Sequence, residues 1–170
     1  LQGIPFVDLA YLRKSNVNGN ILVYRRHKTR QQLYITVENC AHKIIKRYAR
    51  ECKSSAYLLP ILNAVGEQGY KQYKSALRLY NKHLHQISEM IQITPHLTSY
   101  VARHTWASTA REKGIPVSII STGMGHSSEK VTYLYLESLD NKTMSEANKK
   151  IISAVTSKKK MILKKSSLTY

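Results

Sequence analysis

The chain has 170 residues, 42% of them hydrophobic, which suits one domain with one core. Its 27 lysines and arginines against 10 aspartates and glutamates leave a net charge of +17, and that excess favours a polyanion partner, nucleic acid ahead of an anionic membrane. No apolar run approaches the roughly 18 residues of a membrane span, and no paired Cys/Cys or Cys/His spacing suggests zinc.

In chain order, the start at Leu1-Gln2-Gly3 reads as an internal point of a longer protein, with no signal peptide. Leu9, Ala10 and Leu12 mark a short helix over 7–14, with Asp8 early enough to favour its N-terminal end. Asn18-Gly19 is turn chemistry. Ile21-Leu22-Val23-Tyr24 and Leu33-Tyr34-Ile35-Thr36-Val37 read as two strands. Between them the basic run Arg25-Arg26-His27-Lys28-Thr29-Arg30 forms a hairpin tip, which in most proteins is only a solvated loop.

Ala41, Ile44, Ile45, Tyr48, Ala49 and Cys52 share one face of a helix over 39–53, with Lys43, Lys46, Arg47 and Arg50 on the other. Cys40 and Cys52 lie twelve apart on that helix, which excludes a bridge between them; both read as reduced packing residues of a cytoplasmic protein. Tyr57 to Leu62 is a buried-looking apolar segment, and 63–69 a loop. A long helix over 70–91 carries Tyr73, Leu77, Tyr80, Leu84, Ile87 and Ile91, a stripe more regular than a base-stacking platform needs and so assigned to core. Thr98 or Ser99 can cap the next helix, which holds Arg103. Pro116 starts another. Gly123 and Gly125 lead into His126, and a short helix follows with Tyr135. Residues 141–155 repeat an amphipathic pattern, and 157–170 form a basic tail. The expected class is α+β: mostly helical, with one small antiparallel sheet. Residues 1–156 form the domain.

Ala102-Arg103-His104-Thr105-Trp106 organises the rest. Gly125-His126-Ser127 begins 22 residues after Arg103, and Tyr135 stands nine residues beyond His126. An arginine, a histidine and a tyrosine so spaced can surround one phosphate. The arginine offers a planar fork of donors, the histidine a further hydrogen bond, and the tyrosine hydroxyl a nucleophile. Carboxylates are few, and none cluster to hold a metal pair. Each residue alone has a commoner reading: a surface ion pair for Arg103, a capping or core histidine for His126, packing for one tyrosine among twelve.

Together these residues resemble the second conserved box and the active tyrosine of the tyrosine recombinase (integrase) family, from about Gly3 to about Asn148. The resemblance implies the catalytic fold of DNA breaking-rejoining enzymes, without the amino-terminal DNA-binding domain. It implies cleavage through a 3′-phosphotyrosine, with bond energy kept and no cofactor. Tyr135, Arg103, His126 and Lys28 are then catalytic, Lys28 resembling the family's hairpin general acid. Arg25, Arg26, Arg30, Lys43 and Arg47 are expected to meet DNA. The partners implied are double-stranded DNA and further recombinase subunits, with a tetrameric synapse. The setting implied is the bacterial cytoplasm, nucleoid-associated, for a mobile element such as a conjugative transposon.

Two positions depart from the pattern. Tyr100 stands where the box usually opens with histidine, and a phenol cannot shuttle protons near pH 7. Gln2 stands where the family's first arginine precedes a glycine. Losing one preorganised donor typically costs about 10²–10³ in rate. Gln2 and Tyr100, with His104, are therefore supporting or substituted site positions. The competing readings are a DNA-binding module of the same fold disabled by Gln2, and a basic RNA-binding structural protein in which the spacing is coincidental. A type IB topoisomerase would use similar chemistry, but the boxes look like an integrase.

Overall fold

A computed structural model describes residues 1–94 and 96–136. The chain divides into two compact units, Leu1–Thr132 and Tyr133–Tyr170. The helix expected over 141–155 and the basic tail over 157–170 lie outside the described residues.

The first unit is built on a short helix and a hairpin. Helix α1 spans Phe6–Ala10, shorter than expected, and a 3-10 turn follows at Lys14–Asn16. Strand β1 (Val17–Asn18) pairs antiparallel with β2 (Ile21–Arg25), which pairs antiparallel with β3 (Gln32–Thr36). The β2–β3 register sets Leu22 opposite Ile35 and Tyr24 opposite Leu33, and all four side chains are buried. The period-2 alternation places Ile21, Arg25 and Tyr34 outward. Helix α2 (Asn39–Tyr48) lays Ala41 and Ile45 on the sheet core beside Leu12 and Leu58, while Ile44 stays exposed.

Helix α3 spans Gly66–Met90. Its Tyr73 and Tyr80 rings stack on Phe6 at 6.2 and 5.0 Å, joining α3 to α1. The expected core stripe holds only in part, because Ile87 and Ile91 are 44% and 58% exposed. The connection to the next helix is fastened to α3 by side-chain acceptors. The Leu97 N–H donates to Ser88 Oγ at 2.7 Å, and the Ser99 N–H to Asn81 Oδ1 at 2.8 Å. These bonds fix where helix α4 (Val101–Glu112) begins; neither Thr98 nor Ser99 is its N-cap, which is Tyr100 with no side-chain cap bond. Helix α5 (Val117–Met124) packs on α4, with Ala107, Ile120 and Met124 fully buried. Gly125 ends α5 in the left-handed region, the commonest way a helix stops. Helix α6 (Glu129–Leu136) carries Tyr135. Among the described residues the architecture is thus mostly helical with one small three-stranded antiparallel sheet.

Candidate active site

Arg103 faces inward from α4 and is 4% exposed. Its Nη1 donates to the Gly3 carbonyl at 2.9 Å and its Nη2 to the Met124 carbonyl at 2.7 Å. The same Nη2 lies 3.1 Å from His126 Nε2. A guanidinium has donors only, so Nε2 accepts here and the ring proton sits on Nδ1. Nδ1 then donates to Thr132 Oγ1 at 2.8 Å. His126 was expected to donate toward a phosphate; in this arrangement its inward nitrogen is an acceptor, because Arg103 occupies it. Burial holds the imidazole neutral, with the charges of Arg103, Arg26 and Lys28 adding to it, and its pKa is lowered to about 4.

Gly3 is required by the approach of Arg103. A Cβ there would stand 3.0 Å from the Arg103 Cα, and the backbone is left-handed at φ +64°. Gln2, beside it, also has positive φ. The Gln2 side chain lines a cavity of about 630 Å³ with Gln31, Trp106, Thr122 and Gly123.

The hairpin reaches the same place. Lys28 is exposed at its tip, and its charge acts on His126. Arg26 differs from the expectation of a DNA contact. It is 6% exposed, with Nε on Asp8 Oδ2 at 3.2 Å and Nη1 on the Met124 and Gly125 carbonyls at 2.8 and 3.0 Å. Asp8, read from sequence as a helix-end charge, is the buried partner that keeps Arg26 inside. Arg25, Arg30, Lys43 and Arg47 are exposed, as are Tyr100 and His104. Tyr135 is half-buried on α6, in the second compact unit. Reasoning from sequence missed Asp8 and Thr132 as site residues, and the carbonyls of Gly3, Met124 and Gly125. No sequence signal marks a carbonyl, but the Gly-Met-Gly run before His126 signals a backbone that something approaches closely.

The family model of the phage integrases matches residues 6–142. The chain belongs to the phage integrase family. A tyrosine recombinase of Agathobacter rectalis is 28% identical over 138 residues, covering 78% of this chain and 43% of that protein. Among solved structures, the XerA recombinase superposes with a TM-score of 0.62 at 19% identity, over 88% of this chain and 53% of its own. XerH in a post-cleavage complex with a palindromic difH substrate gives 0.63 at 12% identity, over 86% and 42%. The Tn1549 transposon integrase in complex with transposon right end DNA gives 0.55 at 13%, over 79% and 50%. At such identities these structures share the fold. The integrase chain here spans less than half the length of the curated relative and about half that of the structures. No helix among the described residues is long and apolar enough to cross a membrane.

The depressed histidine has a measurable sign. Unfolded, the imidazole titrates near about 6.5; folded, near about 4. Between these values the unfolded chain binds the extra proton, so stability is full above pH ~6.5 and falls as pH drops toward 4. Thermal midpoints from pH 7.5 to 4.5 should fall more steeply for the parent than for His126→Gln. Equal slopes would contradict a neutral, Arg103-bonded His126.

Proposed function

We propose that this chain is the catalytic domain of a site-specific tyrosine recombinase that integrates or excises a bacterial mobile element. The observation that carries the reading is the buried Arg103 guanidinium, bonded to backbone on two sides and placed 3.1 Å from His126 Nε2, in a phage integrase family chain. Positioning and electrostatic stabilisation supply most of the catalysis in phosphoryl transfer. A guanidinium held by carbonyls is already oriented for that task.

The roles follow from the chemistry of each group. A scissile phosphate enters beside Arg103, whose N–H groups turn from His126 to the non-bridging oxygens. The phosphate charge offsets the cations that add to burial in keeping His126 neutral, so its pKa rises and Nε2 takes up a proton to donate. Tyr135 Oη bonds to phosphorus as it gives up its phenolic proton to a base. The bond from phosphorus to the 5′ oxygen breaks, and Lys28 Nζ gives that oxygen a proton. The product is a 3′-phosphotyrosine and a free 5′ hydroxyl, and the reverse attack rejoins the strand. Arg25, Arg30, Lys43 and Arg47 supply exposed positive charge for the DNA backbone. XerH and the Tn1549 integrase are solved with DNA, and a lambda integrase as a dimer on a core site; duplex DNA and further subunits, up to a tetrameric synapse, are the partners assigned here, in the bacterial cytoplasm. A second reading, a DNA-binding module without cleavage, draws on Gln2, which carries no charge where the family's first arginine is expected.

Affinity for duplex DNA should fall steeply from low to moderate salt, because lysine and arginine contacts release counterions. A flat dependence measured by anisotropy would remove DNA as the partner. On a nicked suicide substrate the chain should form little covalent adduct, and Gln2→Arg should restore it by returning charge-assisted donors to the phosphate. Adding Tyr135→Phe should abolish the adduct with binding nearly unchanged, whereas Tyr133→Phe should not. Absence of adduct from a folded, DNA-binding Gln2→Arg chain would favour the binding-only module. The segment after Asp140 is assigned to subunit contacts. Its removal should leave the domain folded but lower assembly on DNA, as read by gel shift; unfolding of the truncated chain would place it in the domain's own core instead.

A further inference from the structure

The hairpin tip that carries Lys28 is fastened at both sides. Arg26 Nη1 grips the Met124 and Gly125 carbonyls at 2.8 and 3.0 Å, and Thr29 Oγ1 donates to the Gly125 carbonyl at 3.2 Å. Across the hairpin, Asp8 accepts from Arg26 Nε at 3.2 Å and from the His27 N–H at 2.9 Å. One side chain therefore links α1, the hairpin and the end of α5. Arg26 lies two residues before Lys28, and the carbonyls it holds immediately precede His126. There is no slack in this arrangement. A Cβ at Gly125 would stand 2.5 Å from the Arg26 Cδ, at a backbone φ of +62°.

We infer that Arg26 is a positioning residue: its fork of bonds sets the separation between the Lys28 tip and the His126 turn, and so the approach of the general acid to the leaving oxygen. The chemistry of that step rests on the recombinase reading; the geometry does not. Only arginine suits the place. A guanidinium presents fixed, coplanar donors to a carboxylate and two carbonyls at once, whereas a lysine keeps the charge and loses the fork. A shift of about 1 Å in a reacting group can cost about 10²-fold in rate.

The test compares three chains: the parent, Arg26→Lys, and Asp8→Asn with Arg26→Met, which removes both charges together so that neither is left buried alone. Spin labels on Lys28→Cys and Ser127→Cys, in a Cys40→Ser background, report the distance from tip to turn without DNA. The parent should give one narrow distance, and both variants a distribution at least about twice as broad. An unchanged narrow distance in Arg26→Lys overturns the inference. So does unfolding of both variants, since Arg26 would then be a determinant of the fold and not of the site.

The second readout keeps Lys28 and adds Gln2→Arg to all three chains. One nicked substrate has the ordinary 5′ oxygen as leaving atom, and another has sulfur there, which leaves as a thiolate without an acid. Arg26→Lys should slow the oxygen substrate about 10²-fold and the sulfur substrate by less than about tenfold. Equal slowing of both, or none, overturns the inference. If the Gln2→Arg chain with Arg26 and Asp8 both unaltered cleaves neither substrate, the recombinase reading fails, and the label distances alone decide the positioning role.

Discussion

Two guanidinium groups, from elements far apart in sequence, converge on the Met124 carbonyl at the end of α5. The last carbonyls of a helix have no partner within it and lie at the negative end of its dipole. Here Arg103 from α4 and Arg26 from the hairpin satisfy them. The helix terminus thus gains its missing donors, and two buried cations gain acceptors without which burial would be costly. Gly125 makes this possible twice over: it turns the chain in a left-handed conformation, and its missing side chain is the space that Arg26 fills.

This placement sets the electrostatics of the site. His126 follows the same turn, so its ring is partly buried and carried into the field of both arginines and of Lys28; burial first and the cations second keep it neutral. Thr132, fully buried on α6, receives the Nδ1 proton and fixes the ring's orientation. The free domain therefore holds Arg103 and His126 bonded to each other. An anion is the species able to separate them, since it supplies acceptors to the guanidinium and lowers the cost of charging the imidazole. A phosphodiester brings both properties in one group.

Much of the fold was legible in residue patterns, and the misses have physical causes. The alternation in β2 and β3 gave their inward faces directly. Strand β1 was hidden because its two residues run into the Asn18-Gly19 turn, whose chemistry dominates so short a stretch. Helix α3 begins at Gly66, four residues before the expected start, because Gly66 and Gly69 look like loop residues. Yet a Cβ at Gly69 would stand 2.5 Å from the Ala64 carbonyl oxygen, so only glycine fits inside that first turn. The apolar stripe on α3 revealed a face, not what covers it, and Ile87 and Ile91 remain exposed. Spacing singled out Arg103 and His126, which do meet. Arg26 was read by charge alone. Whether an arginine points to solvent or inward depends on a distant carboxylate, and Asp8 lies 18 residues earlier on another element.

Gln2 shows how backbone and side chain divide the work at one position. The Gly3 carbonyl reaches Arg103 because the chain at 2–3 runs against α4 with both residues at positive φ. Positive φ at a non-glycine residue carries a strain of about 1–3 kcal/mol, which persists only where surrounding structure enforces it. The neighbouring contact of Gly3 with Arg103 holds the chain against α4 at this point. The Gln2 side chain faces a cavity bounded by Trp106 and Gly123. The bond from Arg103 to the Gly3 carbonyl needs no charge at position 2, so the backbone there and the side chain it carries are separable features of the site.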